Sequence, residues 1–191
     1  GTEEQKQTWL PRMARGEIIG SLAMTEPRGG SDVRAITTRA NRVGDSYIIN
    51  GAKTFITNGF ITDLIVVACK TDVSDGSSGL SLILVEAGRE GVSKSQPLDK
   101  VGQKAQDATE LFFDDVEVPC SNLLGEEGKG MHYLMQELAW ERLMIAIRAV
   151  AGCEVALENT IDYTKSRKAF GKSVMEFQNT KFKLAECKTK T

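Results

Sequence analysis

From residue 17 to about 120, short apolar runs alternate with turn-forming residues, and no other feature of the sequence constrains the fold as much. Residues 19–25 read as a short apolar strand, and 36–43 mix Thr, Arg and Ile as an exposed strand does. Gly44-Asp45 reads as a turn. Tyr47-Ile48-Ile49 leads into Asn50-Gly51, the strongest short hairpin signal, so a return strand is expected over 52–57, with Asn58-Gly59 turning again. Residues 64–69 and 80–86 read as buried strands joined by a Ser-, Asp- and Gly-rich loop at 72–79. Residues 109–118 read as a last strand, ended by Pro119. Many short strands with regularly spaced turns indicate a barrel or sandwich.

The flanks have a different period. Thr2 and Gln5 fit a capping box that opens a helix. Pro11 is expected to break that helix, because it has no N–H to give, and Gly16 to end the short second turn after the break. After Gly130 the apolar spacing turns helical as far as about residue 167, with no Pro and with Gly152 as its one Gly. Phe170-Gly171-Lys172 reads as a connection, and a second helix is expected from near Met175 to the end. The predicted fold is therefore α+β. A central antiparallel β-barrel or sandwich domain (17–122) follows the end of a helical domain (1–16) and precedes the first helices of a C-terminal helical bundle (123–191).

Charge and composition exclude several function classes. The 24 basic and 26 acidic side chains nearly cancel, and no Lys/Arg block offers the footprint of a nucleic-acid partner. The apolar runs are too short for a transmembrane segment. The polar, acidic start resembles neither a signal peptide nor a transit peptide. Four scattered cysteines (69, 120, 153 and 187) and one His lack metal-ligand spacing, so no metal is expected and the cysteines read as small buried residues of a reducing compartment.

The chemistry-bearing stretch is Met24-Thr25-Glu26-Pro27-Arg28-Gly29-Gly30-Ser31-Asp32. Two Gly beside Ser and Thr let backbone N–H groups converge on an anion or a ring edge, although a plain loop is the safer reading of any one such stretch. With neither a Walker A pattern nor strand–GxGxxG–helix, a dinucleotide here is not held in Rossmann fashion. Ala23 to Pro27 followed by Gly30-Ser31-Asp32 resembles the first signature of the acyl-CoA dehydrogenase family. Further resemblances succeed one another in family order: Thr2 to Lys6 with Leu10-Pro11; Asn50-Gly51-Ala52-Lys53 with Phe55-Ile56-Thr57-Asn58-Gly59; Leu111 to Val116 with Pro119; Glu141-Arg142; and Arg167 to Lys172 with Gln178. Each motif is weak by itself, but together they span essentially the whole chain.

The resemblance implies an FAD-dependent dehydrogenation of an acyl-CoA substrate, with an electron-transferring flavoprotein as acceptor and a homo-oligomer, dimer or tetramer, as the working state. An oxygen-using acyl-CoA oxidase, or a catalytically incompetent module that binds acyl-CoA or a partner, are the alternatives. Leu22, Met24 and Thr25 are implied to line the flavin, with Ile56 in the same hairpin, and Phe55 and Thr57 to cover it. Ser31 is implied to sit where the pantetheine or the cofactor pyrophosphate passes. Arg167, Phe170 and Gln178 are implied to reach the FAD of a neighbouring subunit, and Ala139, Trp140 and Arg142 to meet the substrate. The compartment implied is the cytoplasm for a bacterial source and the mitochondrial matrix for a eukaryotic one. Trp is common in the family where this chain has Phe55, and Gly-Ala where it has Arg28-Gly29.

Glu141 is the candidate base. On a helix its neighbours three and four residues away are Leu138, Met144, Ile145 and Glu137, a largely apolar face. Burial there would raise its pKa toward that of a useful base. By residue type alone an exposed helical Glu is the better reading. The resemblance to the long-chain and isovaleryl dehydrogenases, whose base is a Glu just before the matching Arg, points to Glu141. His132, Asp32 and the Asp114-Asp115 and Glu126-Glu127 pairs read as surface or capping groups, and Glu26 as a cap of its loop.

Overall fold

The chain opens on helix α1, Glu3–Ala14, and the computed structural model describes residues 1–71 and 79–191. The capping box forms as expected: the Thr2 hydroxyl accepts from the Gln5 amide at 3.1 Å and the Gln5 side chain accepts from the Thr2 amide at 3.0 Å. Pro11 does not break the helix. It removes only the bond to the Gln7 carbonyl, and Gln7 is exposed, so water can take that bond. The helix stops at Gly16, which has φ +71°. Gly16 N–H bonds to Met13 O and Glu17 N–H to Arg12 O, which closes a Schellman motif.

The middle of the chain forms one seven-stranded sheet: β1 (Gly20–Ala23), β2 (Arg39–Val43), β3 (Ser46–Thr57), β4 (Leu64–Lys70), β5 (Leu80–Glu86), β6 (Val92–Lys94) and β7 (Ala108–Pro119). The order is β1-β4-β2-β3-β7-β6, with β5 on the other edge of β4. The α+β expectation holds, with a curled half-barrel in the middle. The sheet is mixed, however, and not antiparallel throughout. β1 runs parallel to β4, from Gly20 beside Leu64 to Ala23 beside Val67, and Arg39 of β2 meets Lys70 in the same sense. The return path between β1 and β4 is a loop and a hairpin instead of a helix, and the apolar runs carry no mark of direction. Asp63 fixes the register: its carboxylate accepts from Ile19 N–H at 2.8 Å while its own N–H donates to Ile19 O.

Asn50-Gly51 is not a hairpin. β3 runs straight through it, and the turn lies at Gly44-Asp45, where Val43 pairs with Ser46. The glycine has another cause: a Cβ at Gly51 would lie 2.4 Å from Thr38 Oγ1 and 2.8 Å from Thr38 Cα. Asn50 sits at a bulge and exchanges two hydrogen bonds with Asp115, whose φ is +49°. Tyr47, Ile49, Ile65, Val67, Ile83, Val85, Leu111 and Val116 form the core between the sheet's layers. The outer edge of β5 is covered by the segment after β7, through Leu124 N–H to Leu82 O and Asn122 Nδ2 to Leu84 O. The Ser- and Gly-rich loop expected at 72–79 lies, apart from Gly79, outside the described residues.

Helix α2 spans Gly130–Ser166; a two-residue hairpin, β8 (Lys168–Ala169) and β9 (Lys172–Ser173), leads to helix α3, Gln178–Lys190. The described residues form two compact units, Gly1–Leu134 and Met135–Thr191. In the second unit the buried side chains among the described residues are Leu157 and Thr164.

Candidate functional site

In the first unit the chemistry gathers on the outer face of the sheet, where the end of β1 meets the middle of β3. Ser21 and Ala23 alternate inward on β1, which leaves Leu22 on the opposite face. Past the strand, Met24 and Thr25 are tied to β3 through their carbonyls: Lys53 Nζ donates to Met24 O at 3.1 Å and Thr54 N–H to Thr25 O at 2.9 Å. Among the described residues the Thr25 hydroxyl has no hydrogen-bond partner, and neither does that of Thr57.

A second bulge then redirects β3. Between the pairs Lys53–Leu111 and Ile56–Thr109, the two residues Thr54 and Phe55 face Glu110 alone. Phe55 takes the left-handed conformation, φ +58°, which costs an L-residue roughly 1–2 kcal/mol. Its ring gains little from burial, being 67% exposed. Strain of this kind, spent on presenting an aromatic ring outward, is a mark of a working surface. Thr57 points out beside it, while Ile56 turns into the core. A polar cavity of about 320 Å³ adjoins Thr57, lined by Lys100, Gln103, Gln106 and Asp107.

Beneath this surface lies an ion pair. Lys53 and Glu26 have side chains 0% and 3% exposed, and Nζ and Oε1 are 2.9 Å apart. Oε1 of Glu26 also accepts from Thr38 N–H at 2.9 Å, and Oε2 from Thr37 N–H at 2.6 Å and the Thr37 hydroxyl at 2.7 Å. Burial pushes the Glu26 carboxyl upward, but these hydrogen bonds, led by Lys53, overrule it and bring its pKa down to about 2. Burial pulls Lys53 below its ordinary value, and Glu26 opposes that pull.

These elements match two known domains: the acyl-CoA dehydrogenase middle domain over residues 21–116 and the acyl-CoA dehydrogenase C-terminal domain over 128–191. The chain belongs to the acyl-CoA dehydrogenase family. It is 50% identical to the mitochondrial long-chain specific acyl-CoA dehydrogenase of Rattus norvegicus over 99% of this chain and 44% of that protein. It is 42% identical to the mitochondrial isovaleryl-CoA dehydrogenase of Solanum tuberosum, over 99% of this chain and 46% of that one. Among solved structures, an acyl-CoA dehydrogenase from Geobacillus kaustophilus aligns with TM-score 0.96 and 55% identity, over 99% of this chain and 50% of that chain. A glutaryl-CoA dehydrogenase from Mycobacterium smegmatis in complex with FADH2 aligns with TM-score 0.90 and 37% identity, over 97% of this chain and 47% of that chain. The chain thus spans about half the length of the relatives it matches.

Of the residues that the family resemblance singles out, Met24 and Thr25 are tied by their carbonyls to Lys53 and Thr54 of β3, next to Phe55; Phe55 and Thr57 are exposed on β3, and Leu22 is half-buried on β1. Ile56 shares the strand but can offer only backbone groups, since its side chain is in the core. Ser31 is exposed, two residues past the turn closed by the Glu26–Gly29 bridge. In the second unit, Arg167, Phe170 and Gln178 cluster about the β8–β9 hairpin: Arg167 O accepts from Val174 N–H at 2.8 Å, and the Phe170 and Phe177 rings meet edge-on at 6.3 Å, just before Gln178. Phe170, φ +55° and 96% exposed, holds the hairpin tip. Ala139, Trp140, Glu141 and Arg142 lie on consecutive positions of α2, all exposed, so the burial expected around Glu141 is not provided by its own helix. Among the described residues no cluster of three or more His, Cys, Asp or Glu could hold a metal, and no helix is long and apolar enough to cross a membrane. Lys53 is a structural partner that carries no role of its own in the sequence motifs. Its signal was a lone Lys at a position that the strand's alternation buries.

Proposed function

We propose that this chain carries the flavin-side surface and the catalytic base of an FAD-dependent acyl-CoA dehydrogenase, which converts a long-chain or branched acyl-CoA thioester to its trans-2-enoyl product. The observation that carries this reading is the outer surface at the end of β1 and β3: apolar Leu22 and Met24, the hydroxyls of Thr25 and Thr57, which have no partner among the described residues, and Phe55 held outward on a strained bulge. That donor set fits a flat heteroaromatic ring with acceptor atoms on its rim, and the FADH2-bound relative supports FAD as the group. When bound, FAD supplies the redox chemistry by accepting hydride from the substrate β-carbon. In this reading Leu22 and Met24 pack against the ring, Thr25 donates to its rim, and Phe55 and Thr57 exclude water from it. Ser31 lies along the phosphates, and Ile56 contributes backbone alone.

Glu141 removes the α-proton, and Ala139, Trp140 and Arg142 border the acyl chain. The names of the long-chain and isovaleryl relatives support this substrate range. Arg167, Phe170 and Gln178 reach the FAD of a neighbouring copy in a homo-oligomer, and an electron-transferring flavoprotein takes the electrons onward. Residues 1–16, 17–122 and 123–191 belong to three successive domains. The compartment is the mitochondrial matrix for a eukaryotic source, a reading supported by the mitochondrial relatives, or the cytoplasm for a bacterial source.

Glu141→Gln tests the base. The variant is expected to keep FAD and acyl-CoA binding while flavin reduction slows on the order of 10²–10⁴-fold. Reduction at the unaltered rate would remove Glu141 from that role.

A further inference from the structure

We infer that Glu26 and Lys53 are positioning residues, whose buried ion pair locks the Met24-Thr25 backbone to the Phe55 bulge and so fixes the surface that receives the cofactor ring; the inference rests on the flavin reading above. The pair joins three segments. Lys53 lies on β3, two residues before Phe55, and reaches the Met24 carbonyl at the start of the loop. Glu26 holds the far end of the same loop through the amides of Thr37 and Thr38. Thr54 adds a direct bond to Thr25 between them. Both carboxylate oxygens take two donors each, which uses the acceptor capacity of the group.

Stability alone does not explain such a pair. A buried ion pair roughly breaks even against well-packed apolar side chains of the same size, because desolvation offsets the attraction. Direction does explain it. Charge-assisted hydrogen bonds to backbone atoms fix where those atoms sit, which apolar packing at the same positions does not. The backbone positions so fixed are those of Met24 and Thr25, with the strained Phe55 following immediately on the same strand.

The test compares the unaltered chain with the double variant Glu26→Leu/Lys53→Met, which removes both charges together and leaves neither buried alone. Two quantities are read below the unfolding temperature: amide hydrogen exchange at residues 24, 25, 37, 38 and 55, and the FAD dissociation constant from flavin fluorescence quenching. The expected result is a folded protein whose core strands exchange as before, whose five positions exchange at least ten-fold faster, and whose FAD dissociation constant rises at least ten-fold. Unchanged exchange at those positions overturns the inference. Faster exchange with an unchanged dissociation constant overturns it too, since the lock would then not serve the ring. If the unaltered chain takes up no FAD, the flavin reading fails by itself, and exchange alone decides whether the pair is a lock.

Discussion

Glu26 links the surface to pH. Its folded-state pKa of about 2 lies below the ordinary value of 4.5, so its contribution to stability is complete above 4.5 and is lost as pH falls through that window toward 2. Urea midpoints measured from pH 6 to 2 should fall more steeply in the unaltered chain than in Glu26→Leu/Lys53→Met; parallel curves would mean that the pair contributes nothing to acid sensitivity. Phe55 gives a second prediction at this scale. Phe55→Gly relieves roughly 1–2 kcal/mol of left-handed strain and costs roughly 0.5–1 kcal/mol in backbone entropy, and the ring buries little. Stability by urea melt should stay level or rise by up to roughly 1.5 kcal/mol while FAD affinity falls. A marked loss of stability would show instead that packing holds the ring. The sequence displayed Thr25, Phe55 and Glu26 because they sit in motifs. It did not display the strain at Phe55, which arises from a bulge set by pairing with β7, far along the chain, nor the pairing of Lys53 with Glu26, which only the fold brings together.

Among the elements, the strands were legible from alternation and turn signals, and both helical flanks from period. Three features were not. Asn50-Gly51 carries the local signature of a turn, yet the pairing of β3 with β7 outweighs it, and the glycine answers to the close approach of Thr38. Pro11 sits inside α1 because the carbonyl it leaves free faces water. The short strand β6 has too few residues to show a period. Gly51→Ala should cost roughly 1–3 kcal/mol by urea denaturation, as overpacking does. Adding Thr38→Ala should not restore it, since the Thr38 Cβ and Cα would still lie 2.7 and 2.8 Å from the new methyl. Full rescue by the double variant would place the crowding in the hydroxyl alone.

At the scale of the whole molecule the two units differ in how much they bury. The β unit has a continuous core, whereas residues 141–150 of α2 are exposed at every position, including Leu143, Met144, Ile145, Ile147 and Val150. A helix apolar on many sides is a surface for other protein, and the relatives are about twice as long as this chain. In hydrogen exchange the amides of β3, β4 and β7 should open only with global unfolding. Those of residues 141–150 should exchange at least a hundred-fold faster; equal protection would mean that the helix is covered in solution. Burial of Glu141, which the sequence reading attached to its apolar neighbours, therefore depends on what covers α2. Dehydrogenation itself is best tested by the visible spectrum of the FAD-supplied protein before and after anaerobic addition of a long-chain acyl-CoA. The expected result is a flavin band that bleaches on addition. A band that persists unchanged would contradict dehydrogenation of this substrate class, and the absence of any bound flavin would contradict the reading of the outer face.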